Sequence, residues 1–162
     1  MSISETSTII VGYDGSPASR AAVDHAVTRA ASGAHLVVVR AYEVPDDHIG
    51  TPYYQNMLDV TVTQADQSMR ALEADCSGLA QVDYEPDVVP GHAAAAILGA
   101  ADARDAAEIV IGSRGQGRIR SLLLGSVAQA VLHGAHCPVL VIPERMVQAT
   151  RAIPVASAAA VA

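Results

Sequence analysis

The chain has no lysine, no tryptophan and no phenylalanine, and only two cysteines among its 162 residues. Each absence removes a class of function. Every one of the ten basic residues is Arg, which excludes a Walker A loop, a kinase-type phosphate lysine and a Schiff-base lysine together. With five Tyr as its only aromatics, the chain has to build its core from Val, Ile, Leu and Ala. Cys76 and Cys137 cannot form a disulfide framework and read as free, buried thiols of a reducing cytosol. Positive charge is scarce too. The formal net charge of −7 argues against nucleic acid as a main partner, because duplex binding relies on Lys and Arg to neutralise phosphates. Met1 to Thr8 carries neither the positive charge nor the apolar run of a secretory signal. The apolar tail Ala152 to Ala162 falls short of the ~20 residues that span a bilayer. The expectation is a cytoplasmic domain with no membrane partner.

What is present is a 51% hydrophobic chain in which short apolar runs alternate with helical patterns five times. Thr8 to Val11, ending at Gly12, has the continuous apolar character of a strand buried on both faces. Ser16-Pro17 then supplies an N-cap followed by proline at the first helical position, and Gly33 stops that helix. Leu36 to Val39 reads as the second strand. The longest helix follows, with Leu58, Val62, Ala65, Met69, Leu72 and Cys76 on one face for packing against the sheet. Val82 to Val89 is a weaker strand holding Pro86, which belongs at a sheet edge. A third helix covers Gly91 to Arg104, and Ile109 to Ile111 forms the fourth strand. A Gly/Arg-rich loop, Gly112 to Leu124, leads to a helix around Val127 to Leu132 that ends at Gly134. Val139 to Ile142, between Pro138 and Pro143, is the fifth strand. Such alternation predicts an α/β fold with an open five-stranded parallel sheet of order 3-2-1-4-5 and helices on both faces. Residues 1–143 form the expected domain and residues 144–162 an Ala-rich, flexible C-terminal tail.

In such sheets ligands bind beyond the carboxyl ends of the strands, where the strand order reverses. Two loops carry suitable chemistry there: Gly12-Tyr13-Asp14-Gly15-Ser16, and Gly112-Ser113-Arg114-Gly115 with Gly125-Ser126 nine residues on. Glycines allow the backbone close to a ligand, and a helix N-terminus presents free N–H groups to phosphate oxygens. Arg114, Arg118 and Arg120 crowd the second loop of an otherwise acidic chain. The pattern fits a polyphosphate. Gly112-x2-Gly115-x9-Gly125-Ser126 resembles the ATP-binding motif of the universal stress protein family, and the likeness extends over about residues 6–143.

The resemblance implies a Rossmann-like fold of the adenine nucleotide alpha hydrolase kind and a homodimer joined through the last strand. Its implied cofactor is ATP, with Mg2+ carried on the phosphates. By the same likeness Asp14 meets the adenosine and Ala41, after the second strand, lines the adenine pocket. Gly112 takes the ribose, Gly115 the phosphates, and Gly125, Ser126 and Val127 the phosphate chain, with Ser113 and Arg114 between them. Blander readings stand beside these. Asp14 also suits a turn, though its place at the switch point puts the ligand role ahead; Arg118 and Arg120 suit a solvated loop as well as phosphate contact, and His133-x2-His136-Cys137 suits a helix end rather than a metal site. Near the expected phosphates no carboxylate or His has an assignable role in activating water, so at most slow ATP hydrolysis is expected. The leading function is an ATP-dependent stress or growth regulator; a dimeric interaction protein that works without nucleotide is disfavoured by the intact motif, and an enzyme comes after both.

Overall fold

The computed structural model describes residues 7–43, 50, 52–76, 78–115 and 124–143. Five strands form one sheet: β1 (Thr8–Gly12), β2 (His35–Tyr42), β3 (Tyr84–Pro90), β4 (Glu108–Gly112) and β5 (Val139–Ile142). Their order is β3-β2-β1-β4-β5, and every neighbouring pair is parallel. The apolar runs occupy the middle of this sheet because parallel strands covered by helices on both faces have no solvated side. Ile10, Val11, Leu36, Val37, Val38, Ile109 and Val110 are completely buried.

Alternation along the strands divides the core in two. Ile9, Val11, Leu36 and Val38 face α1 (Pro17–Ala30) and α2 (Pro52–Asp75). Ile10, Val37, Val39, Ile109 and Ile111 face α3 (Ala93–Ala103) and α4 (Ser126–Gly134). The contact face of α1 is made of Ala18, Ala22, Ala26 and Ala30 with Val23, so this helix lies close to the sheet. In α2 the expected stripe is buried at Ala65, Met69 and Leu72, while Leu58 and Val62 are only partly covered. Cys76 is buried just past the helix end and Cys137 is half-buried; both are free thiols.

The prolines sit where a missing donor costs least. Leu36 N donates to Asp83 O and Gly91 N to Tyr42 O, so the odd-numbered backbone groups of β3 point inward to β2. Its even-numbered groups therefore point outward, and two of them, Pro86 and Pro90, have no N–H to offer. Glu85 and Asp87 on the same strand are held by Arg104 Nη2 at 2.7 and 3.1 Å.

β2 runs three residues past the expected Val39. β1 ends opposite Val39, at Gly12, so Arg40, Ala41 and Tyr42 pair only with β3 and need not be apolar on every side. Ala41, expected just after this strand, is inside it. A short 3-10 turn at Leu79–Gln81, absent from the sequence reading, buries Leu79. Arg118, Arg120 and residues 144–162 lie outside the described residues. Among the described residues no helix is long and apolar enough to cross a membrane.

Candidate functional site

β1 and β4 are adjacent, and their following helices leave on opposite faces of the sheet: α1 on one, α4 on the other. That divergence opens a crevice at the carboxyl ends of the strands. A cavity of about 350 Å³ occupies it. All nine residues singled out from the sequence line this one cavity: Asp14, Ala41, Gly112, Ser113, Arg114, Gly115, Gly125, Ser126 and Val127. They come from three stretches of chain that only the fold brings together.

The cavity lining is part apolar and part polar. Val39, Ala93, Ile97, Ile111 and Leu124 supply the apolar walls and were not singled out from the sequence. Val39 was legible in principle, since it lies two positions before Ala41 on the same face of a strand. Ile97 and Ala93 come from the first turns of α3, which the sequence marked only as a packing helix.

The polar part is built from backbone. Ser113 N donates to Ile142 O at 2.8 Å and Gly125 N donates to Ser113 O at 2.7 Å, which pins both ends of the glycine-rich segment. Gly125 is the N-cap of α4 and, among the described residues, no side chain caps that helix. The first N–H groups of a helix have no partner within it, so α4 presents an uncapped, electropositive terminus to the cavity. The terminus of α1 differs: the Ser16 hydroxyl accepts Ser19 N at 3.2 Å and closes it. Three helix starts reach the crevice, and α1 is the one closed by its cap side chain; those of α4 and of α3, whose N-cap His92 makes no side-chain cap bond, stay open.

The glycines serve close approach rather than unusual dihedrals. Gly112, Gly115 and Gly125 all have ordinary negative φ, and the positive φ values fall at Gly15, Gly33, Gly50 and Gly91. A Cβ at Gly112 would lie 2.8 Å from Ala18 C and 2.9 Å from Ser19 N, so this glycine lets β4 pass against α1. A Cβ at Gly115 would overlap Asp14 Oδ2. The Asp14 carboxylate thus touches the glycine loop with one oxygen, while its other oxygen accepts Ser16 N at 2.9 Å in a turn. The turn role and a place in the cavity are both realised. Among the described residues no three His, Cys, Asp or Glu side chains gather into a metal site.

The sequence profile described as the universal stress protein family matches residues 5–143. The chain belongs to that family. A universal stress protein of Thermus aquaticus is 39% identical over 137 residues, covering 83% of this chain and 97% of that protein. A universal stress protein of Mycobacterium tuberculosis is 34% identical over 147 residues, and there the match covers 87% of this chain but 50% of the relative. This chain therefore spans nearly all of the Thermus relative and about half the mycobacterial one. Among solved structures, the universal stress protein UspA from Lactobacillus plantarum matches with a TM-score of 0.74 at 24% identity, over 85% of this chain and 97% of that one. A universal stress protein crystallised in complex with cAMP matches with a TM-score of 0.56 at 30% identity, over 86% and 98% of the two chains.

Proposed function

We propose that this universal stress protein binds ATP in the crevice between β1 and β4 and acts in the cytoplasm as a nucleotide-dependent regulator of stress or growth. One observation carries the reading: nine residues from three separated segments line a single cavity, together with apolar side chains and the start of α4, which no described side chain caps. An adenine base suits Val39, Ala41 and Ile97, and a phosphate chain suits Gly115, Gly125, Ser126 and Val127 with Arg114 beside them. The sugar suits Asp14, Gly112 and Ser113. Magnesium would ride on the phosphates, with no protein cluster of its own required. The cAMP complex of the 30% identical relative supports an adenine nucleotide as the ligand class.

Thermal unfolding tests the reading. Ligand binding to the folded state alone adds ~2.7 kcal/mol at 100 times the dissociation constant, a rise in Tm of roughly 5–10 °C for a domain this size. Gly115→Glu should abolish the rise while the protein stays folded, and GTP and tripolyphosphate should give smaller rises than ATP. Nucleotide-free protein that does not respond to millimolar ATP with magnesium would refute it. A dimer through β5 that works without nucleotide would then be the better reading, favoured by the apolar outer strand Val139–Ile142.

A further inference from the structure

The two loops at the polar part of the cavity are joined by one side chain. Ser16 is 4% exposed, and its hydroxyl makes two bonds. Its oxygen accepts Ser19 N at 3.2 Å, which caps α1, and it donates to Arg114 O at 3.3 Å, 98 positions away in sequence. A serine hydroxyl has one proton and two lone pairs, so both bonds coexist. Capping needs only the lone pair. The proton is surplus to the cap, and it is spent on the glycine-rich loop.

The rest of the turn holds that hydroxyl in place. Ser19 Oγ donates to Ser16 O at 3.0 Å, and Ser16 N donates to Asp14 Oδ1 at 2.9 Å. On the other side, Ser113 is fixed through its N–H to Ile142 O and through its carbonyl to Gly125 N. Among the described residues, the Ser16 hydroxyl on its carbonyl is what anchors the peptide unit joining Arg114 to Gly115. A trans peptide is planar, with N–H and C=O pointing in opposite directions. Holding the Arg114 carbonyl toward α1 therefore turns the Gly115 N–H away from α1.

We infer that Ser16 is a positioning residue: it orients the Arg114–Gly115 peptide so that the Gly115 N–H is presented to the phosphate chain of the bound nucleotide. The inference rests on the nucleotide reading above. It assigns Ser16 a task beyond capping, and it makes the first loop a brace for the second. The apolar part of the cavity, walled by Val39, Ala41 and Ile97, does not depend on this bond.

The test compares dissociation constants for ATP and adenosine, by calorimetry on the full chain, alongside the Tm of the nucleotide-free protein. Ser16→Ala removes both bonds. Its Tm should fall, its adenosine affinity should stay within about twofold, and its ATP affinity should drop roughly five- to tenfold. Ser16→Thr, which keeps the hydroxyl, should restore the ratio of the two affinities. Ser16→Gly serves should Ser16→Ala not fold, because glycine at an N-cap costs only a few tenths of a kcal/mol. A lowered Tm with an unchanged ratio makes Ser16 a cap and nothing more, which overturns the inference while leaving the nucleotide reading intact. Wild type that binds neither ligand overturns both.

Discussion

Two glycines of the same motif should respond very differently to the same substitution. In Gly112→Ala the new Cβ would meet Ala18 C at 2.8 Å, Ser19 N at 2.9 Å and Ala18 Cβ at 3.0 Å. Two of those atoms are backbone of the first turn of α1, which is anchored by Pro17 and the Ser16 cap and buried at Ala18 and Ser19. Neither partner can swing aside as a side chain tip would. Overpacking of this kind costs ~1–3 kcal/mol, a fall in Tm of about 2–12 °C at this chain length. In Gly125→Ala the nearest atoms, Arg114 Cα and Ser113 O, are at 3.5 Å, which is ordinary contact. Its backbone, at φ −72° and ψ 158°, suits any residue. Alanine caps a helix less well than glycine, but it also lowers the entropy of the unfolded chain, and the two effects offset to within about 0.5 kcal/mol. Urea unfolding of the nucleotide-free variants measures both. If Gly125→Ala proved as damaging as Gly112→Ala, close approach to α1 would not be the reason for glycine at 112. If instead Gly125→Ala is stable yet gives no ATP-induced rise in Tm, that glycine is required by the ligand rather than by the fold.

The Cys76 thiol donates to Asp24 Oδ1 at 3.2 Å, and burial, reinforced by that carboxylate, pushes its pKa up to about 11. A pKa raised by folding gives stability that is complete below the unfolded value of ~8.5 and is lost as pH rises through the folded one. The urea midpoint should therefore fall between about pH 8.5 and 11, and Cys76→Ala should lack part of that fall; identical slopes in the two proteins would sink the argument. For the dimer, Leu140→Asp on the outermost strand should sediment as a monomer where wild type sediments as a dimer. Wild type that is monomeric at micromolar concentration would refute pairing through β5.

Strand order was legible because its signals were chemical. Doubly buried strands read as unbroken Val/Ile/Leu runs, and Pro86 marked an edge. Where the reading fell short, local chemistry and tertiary position disagreed. Arg40 interrupts the apolar run of β2, yet the strand continues there because it has outrun β1 and needs to satisfy only β3. The half-covered Leu58 and Val62 follow the same helical period as buried Met69 and Leu72, and periodicity alone cannot say which turns of a helix meet the sheet. In the site, glycine spacing located the loop, but the reason for Gly112 was hidden. It is a contact with α1, 94 positions away from Ala18, and no local pattern announces it. The apolar walls were hidden for the same reason, since Ile97 and Val39 look like any other core residues until the cavity is seen.

The missing donors of Pro86 and Pro90 bear on how the sheet can grow. A parallel sheet has two edges, and a molecule with two competent edges can add copies without end, as a fibre does. Here β3 has its outward backbone donors deleted at two of four positions and carries Glu85 and Asp87 on the strand, locked to Arg104. The opposite edge, Val139–Ile142, is short and apolar and has no such protection among the described residues. Any assembly by strand pairing therefore starts and stops at the same edge: two sheets joined there have only blocked edges left, and the chain reaction terminates at its first step.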